Sequence, residues 1–273
     1  MQEHSHTTQV RPEVVPYPSR VVCGIDGSPV AEEAARKASV LMPEDGRLHL
    51  VSVVVPGAAE QFAPSADARH LHEEHRASAL ASLTRAAEAA VGVRHVIPMI
   101  RSGSPATVLE TEAELMRADA LVLGCPSRGR AAGVLLGSVA TRLLHRSVCS
   151  VLIGRAVTAQ PFPVSIAVGV DTSGASLEAL RLGAQIAERC GVPLRALHVA
   201  GHGAPVDWST IELHGAEVVE IRETRSPTVG LTANVGRADL LVVGSRGLTG
   251  LRALGSVSEA VAHRSESSVL VIR

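Results

Sequence analysis

The passage LVLGCPSRGRAAGVLLGSVATRLLHRSVCSVLIGR, ending at Arg155, returns in shortened form as VVGSRGLTGLRALGSVSEAVAHRSESSVLVIR, which closes the chain at Arg273. The likeness extends upstream. RVVCGIDGSPVAEEAARKASVLMPEDGRLHLVSVV, from Arg20, aligns with VSIAVGVDTSGASLEALRLGAQIAERCGVPLRALHV, from Val164. A chain that repeats a unit of this length folds as two copies of one architecture. In each copy near-continuous Val/Ile/Leu runs alternate with helical stretches, the pattern of a parallel sheet covered on both faces.

The first copy reads as strand 20–25, helix 29–42, strand 47–55, helix about 67–91, strand 93–100, helix 104–117, strand 119–124, a glycine loop, helix 138–146 and strand 148–153. Ser28 as N-cap, Pro29 at the first helical position and Glu32 and Glu33 in the first turn mark the first helix start. The second copy keeps this order, but GHGAPVDWSTIELHG replaces the long second helix. The units are a flexible arm over 1–19, domain 1 over 20–157, a linker at 158–163 and a shortened domain 2 over 163–273.

Composition narrows the function. Hydrophobic residues make up 46% and aromatics 1%, so the core is aliphatic. A net charge of −1 without a long basic run argues against nucleic acid and anionic membrane as partners. No apolar run reaches about 18 residues, so no membrane span is expected, and the arm has no signal-peptide core. Cys23, Cys125, Cys149 and Cys190 show no CxxC spacing, which fits a reduced cytoplasmic protein. Cys23 and Cys149 fall in strand-like runs. Cys125 reads as a small loop filler. His70, His72 and His75, with His4 and His6, read as solvated surface and not as a metal site.

In an open α/β sheet, ligands bind beyond the carboxyl ends of the strands, where the winding reverses. With the first strand beside the fourth, two polar strand ends face each other there. One is Asp26-Gly27-Ser28, matched by Asp171-Thr172-Ser173. The other is the glycine loop with the Gly-Ser-Val that opens the next helix. Glycines let the backbone approach an anion, and helix-terminal N–H groups bind phosphate oxygens. Ser138 and Ser256 add hydroxyls; Arg128, Arg130 and Arg246 add charge. No His recurs beside the Ser or Asp in both copies, so binding is preferred to catalysis.

These residues resemble the universal stress protein family, in a tandem two-domain form, over nearly everything after the arm. The resemblance implies an α/β fold of two doubly wound domains, each a five-stranded parallel sheet in the order 3-2-1-4-5. It implies ATP as ligand, with Mg2+ as a companion, and a motif of Gly, two residues, Gly, nine residues, Gly-Ser/Thr. It assigns Asp26 and Asp171 to the strand-end Asp, Val53 and Val199 to the backbone that reads adenine, and Gly137-Ser138 and Gly255-Ser256 to the phosphates. The full candidate set adds Gly24, Ile25, Leu123 and Gly124, the loop residues Ser127, Arg128 and Gly129, and Val139. In the second copy it adds Gly169, Val170, Val243 and Gly244, the loop residues Arg246 and Gly247, and Val257 and Ser258.

Both copies depart from the motif. Ser127 replaces the second glycine, and only seven residues separate Gly247 from Gly255. Both share Ser-Arg-Gly, seven residues, Gly-Ser-Val. Gly103-Ser104-Pro105 keeps the family's Gly-x-Pro, whereas Arg225 stands at the glycine position in the second copy. The first site is therefore expected to bind more tightly, and the second to leave the adenine more open to water. The expected protein is a stress-response regulator whose two domains pair through their last strands, with a homodimer as an alternative. A slow ATP hydrolase and an interaction module with empty sites are the rival readings.

Overall fold

The computed structural model describes residues 17–56, 66–126, 136–156, 161–202, 205–223, 225–236, 238–245 and 255–273, and every statement below concerns these. In the first half, β1 (Arg20–Gly24), α1 (Pro29–Leu41), β2 (Arg47–Val54), α2 (Ala66–Ala89), β3 (His95–Ser102), α3 (Pro105–Leu115), β4 (Ala120–Cys125), α4 (Ser138–Arg146) and β5 (Ser150–Arg155) follow in order. The second half comprises β6 (Ile166–Gly169), α5 (Gly174–Cys190), β7 (Leu194–Ala200), β8 (Glu217–Arg222), α6 (Pro227–Asn234), β9 (Leu240–Gly244), α7 (Ser256–Arg264) and β10 (Ser268–Ile272).

Local chemistry sets the helix bounds. The Ala31 N–H donates to Ser28 Oγ at 3.3 Å, and the Ser176 N–H to Ser173 Oγ at 3.3 Å, so α1 and α5 begin on matching serine caps. Gly191 ends α5 in the left-handed region, at φ +65°. The buried face of α1 is mostly alanine (Ala31, Ala34, Ala35, Ala38), which lets the helix lie close on the sheet. Cys23 sits in β1, as expected. Cys149 instead precedes β5, in a turn where its N–H donates to Ser147 Oγ at 3.2 Å.

The strands form one ten-stranded sheet, β3-β2-β1-β4-β5-β10-β9-β6-β7-β8. Each half is parallel and has the order 3-2-1-4-5 expected of it. The halves join where β5 pairs antiparallel with β10, Leu152 opposite Leu270. Leu152 and Leu270 are equivalent in the two copies, so a local two-fold axis passes between them. The aliphatic core lies on both faces of the sheet and runs through the seam. One face packs α1, α2 and α5, and the other packs α3, α4, α6 and α7. In place of a long second helix, the second half has a single 3-10 turn at Trp208–Thr210. Trp208 packs on the core and stands edge-on to His198, ring centres 6.1 Å apart.

The seam is also polar and reciprocal. The Arg155 N–H donates to Ser268 Oγ at 3.2 Å, and the Arg273 N–H to the equivalent Ser150 Oγ at 3.3 Å. The Arg155 guanidinium donates to Ala262 O at 2.7 Å, and that of Arg273 to the equivalent Leu144 O. Each arginine thus satisfies a last-turn carbonyl of the opposite repeat's final helix, an acceptor the helix itself leaves without a partner. Tyr17 and Ser19, read as part of the arm, are fastened to the body. Tyr17 lies under Arg189, and the Ser19 N–H and Oγ–H both donate to Asp119 Oδ2 at 3.0 Å.

Lys37, the single lysine of the chain, is buried at this seam. Its amine donates to Arg155 O and, at 2.8 Å, to Ser268 Oγ, and lies 4.6 Å from the Phe162 ring centre. Phe162, expected in a linker, is itself buried. Burial holds the amine down to about 8, with Glu33 partly opposing. Below about 8 the amine is charged in both folded and unfolded chains. Between about 8 and 10.5 the unfolded chain keeps a proton that the folded chain has released, so this group adds stability as pH rises. Buried thiols, raised above their ordinary 9.0, oppose it at the alkaline end. The unfolding free energy of the parent minus that of Lys37→Met is therefore expected to increase across this window in urea titrations, and to be flat below it.

Candidate functional site

β1 and β4 are neighbours, as are β6 and β9, and their connections leave on opposite faces. Each pair opens a cleft beyond its carboxyl ends. The first cleft, about 330 Å³, has an apolar floor of Val51, Val53, Leu109 and Leu123 and a rim of Ile25, Asp26, Gly137, Ser138 and Val139. The second, about 180 Å³, is lined by Val170, Asp171, Leu197, Val199, Leu231, Val243, Gly255, Ser256 and Val257, and also by His198 and His202. The missing helix does not simply open it, because His198, beside Trp208, and His202 occupy its wall.

The strand-end aspartates hold their turns. Asp26 Oδ1 accepts from the Ser28 N–H at 3.0 Å and the Ser28 hydroxyl at 2.6 Å. Asp171 Oδ1 accepts the same two groups from Ser173, the N–H at 3.0 Å. One carboxylate oxygen of each therefore builds the Asx turn that delivers the serine cap. Asp26 is exposed to the cleft, and no described residue takes its Oδ2. Gly27 has φ +85°, which favours glycine, while Thr172 replaces it in the second copy.

The motif glycines divide into two kinds. A Cβ on Gly124 would lie 2.6 Å from Ala31 N, and one on Gly244 would lie 2.8 Å from Ser176 N. These glycines let the first turns of α1 and α5 rest on β4 and β9, so they serve packing. Gly24 and Gly169 are likewise hemmed in, by Leu109 and Leu123 and by Leu231 and Val243. Gly137 differs, because a Cβ there would meet nothing within 4 Å. It is the N-cap of α4, and Gly255 is the N-cap of α7. Neither helix start is capped by a side chain among the described residues. Their first N–H groups, together with the helix dipole, are of the kind to which anions bind in general.

Some sequence candidates have other work. The Ser258 hydroxyl donates to Gly244 O at 2.7 Å and so braces β9 against α7; its equivalent in the first copy is Ala140. Cys125 is buried in the first cleft, and burial raises its thiol, which disfavours a reactive thiolate. Arg225 pairs with Glu223 at 3.1 Å. Ser127, Arg128, Gly129, Arg130, Arg246 and Gly247 lie outside the described residues. One residue was missed. His263 lies in the last turn of α7, and its Nδ1 accepts the Leu136 N–H at 3.3 Å, one residue before Gly137. The signal in the sequence is His-Arg-Ser, which ends both Gly-Ser-Val helices (His145, His263).

The model of the Universal stress protein family matches residues 18–155 and 210–273. The chain belongs to the universal stress protein family. A universal stress protein of Mycobacterium tuberculosis (strain H37Rv) is 31% identical over 286 residues, covering 93% of this chain and 96% of that protein. One of Mycolicibacterium smegmatis is 28% identical over 288 residues, covering 93% and 96%. The crystal structure of a universal stress protein from Archaeoglobus fulgidus superposes with a TM-score of 0.70 at 22% identity, covering 95% of this chain and 98% of that one. The family domain occurs twice, with its parallel sheet and flanking helices. No described helix is long and apolar enough to cross a membrane.

The division among the glycines yields a contrast. Gly124→Ala is expected to destabilise the chain by about 1–3 kcal/mol, through overpacking against the α1 backbone. Gly137→Ala meets no clash, because the position is exposed and open, and should cost only about 0.5–1 kcal/mol, the difference between glycine and alanine as an N-cap. Urea denaturation of both variants checks this.

Proposed function

We propose that the protein binds an adenine nucleotide, ATP foremost, in a cleft of each repeat, and that it regulates by binding and not by turnover. The observation that carries this reading is the pair of glycine-started, side-chain-uncapped helices facing a strand-end aspartate. The residues fit the ligand. Open space lies before Gly137, where a phosphate would meet the first N–H groups of α4 and the Ser138 hydroxyl. The apolar floor of Val53, Leu109 and Leu123 suits a flat base. Asp26 Oδ2 would accept from a ribose hydroxyl or an exocyclic amine. Mg2+ would enter as part of the ligand, with its triphosphate.

The two clefts are unequal in this reading. Gly103-Ser104-Pro105 opens α3 beside the first, with Gly103 at φ +136°. The second has His198 in its wall, with Nδ1–H donating to Val170 O at 3.0 Å, and His202, with Nε2–H donating to Glu223 O at 2.6 Å. Both reduce the room for a base. The first cleft should therefore bind more tightly.

Titration calorimetry of nucleotide-free protein with Mg-ATP should give micromolar binding, about −8 kcal/mol. Gly137→Glu should remove the tighter event and Gly255→Glu the weaker one. Both glutamates place negative charge at a helix N-terminus, which the dipole tolerates, so folding should be preserved. A folded double variant that binds ATP like the parent would contradict the phosphate assignment. An absence of heat from the parent at millimolar ATP would favour the rival reading of an interaction module.

A further inference from the structure

The half-sheets run antiparallel across β5 and β10, so the carboxyl ends of their strands, and with them the two clefts, lie at opposite ends of the sheet. A helix that returns from one cleft toward the seam therefore finishes beside the other. α7 begins at the second cleft, on Gly255 and Ser256. Its last turn is tied to Pro126 and to Leu136, the described residues on either side of 127–135. The Leu136 N–H donates to His263 Nδ1 at 3.3 Å. The buried Arg155 guanidinium bridges Pro126 O at 2.9 Å and Ala262 O at 2.7 Å. Pro126 and Leu136 flank the first loop on its two sides. Both are thus fastened to neighbouring residues of the second repeat.

We propose that His263 is a positioning residue for the first cleft: from the second repeat it holds the backbone at Leu136, and so sets the aim of Gly137 and the first N–H groups of α4. This inference rests on the nucleotide reading of that cleft. Leu136 is buried, so its N–H needs an acceptor, and a loss of that acceptor is costly. Accepting at Nδ1 places the ring proton on Nε2. The equivalent residue of the first repeat, His145, lies on α4 and donates through Nε2–H to Glu259 of α7 at 3.0 Å. The equivalent histidines thus tie α4 to α7 in one case and the residue just before Gly137 to α7 in the other. The described lining of the first cleft comes from the first repeat alone, but the approach to α4 is held from the second, and α7 spans from its own glycine start to Leu136.

The test uses the full chain with His263→Leu, which removes the acceptor at similar bulk, and His263→Asn, whose Oδ1 can accept where Nδ1 does. His263→Ser serves as the truncation if the leucine variant does not fold. Hydrogen exchange at the Leu136 amide, measured without nucleotide, should quicken about tenfold in His263→Leu and stay near the parent rate in His263→Asn. On a Gly255→Glu background, where only the first cleft binds, Mg-ATP affinity should fall about tenfold in the leucine variant and recover in the asparagine variant. With Gly137→Glu, where only the second cleft binds, it should not change. Unchanged Leu136 exchange, equal weakening of both clefts, or failure of asparagine to rescue would each overturn the proposal. If the parent binds no nucleotide, the proposed function fails, and the exchange rates alone then uphold or overturn the tether.

Discussion

The antiparallel pairing of β5 with β10 is the constraint on which the rest of the molecule depends. Each repeat is a parallel half-sheet that would otherwise end on a bare apolar strand, VLIG in one and VLVI in the other. A bare edge of this kind pairs with whatever strand it meets. Two copies in one chain satisfy each other, with Leu152 opposite Leu270, and the core on each face becomes continuous. The contact is isologous in form although it lies within one chain. It brings Arg155 and Arg273 each to the last turn of the other repeat's final helix.

The same pairing shapes the clefts. It fixes them at opposite ends of the sheet, and it aims each final helix from its own glycine start toward the other repeat. The glycines that resemble a single binding motif then carry two different physical loads. Gly124 and Gly244 admit a helix backbone against a strand, so they would be needed even in a protein that bound nothing. Gly137 stands in open space at an uncapped helix end, so packing does not require its small size. Asp26 is likewise shared, one carboxylate oxygen for its turn and one facing the cleft.

Most of the fold was legible in the sequence, because the repeat and the alternation of apolar strands with helices are local patterns. Ser28 and Pro29 marked the start of α1, and the Gly-Ser-Val segments marked α4 and α7. The less legible features depend on contacts distant in sequence. No spacing rule says that Lys37 must reach Ser268, or that Ser258 must brace Gly244. Nothing in GHGAPVDWSTIELHG, the segment that replaces the long second helix, says that Trp208 packs on the core beside His198. In sequence His263 stands beside its own repeat's last strand. Only the antiparallel seam carries it to the other repeat's loop.

A crystal structure of the full chain grown with millimolar Mg-ATP tests the central claim most directly. The account predicts a nucleotide in the first cleft, its base against Val53 and Leu109 and its phosphates at the N–H groups of Gly137, Ser138 and Val139. A first cleft empty at that concentration, or a nucleotide bound away from the α4 start, would contradict it.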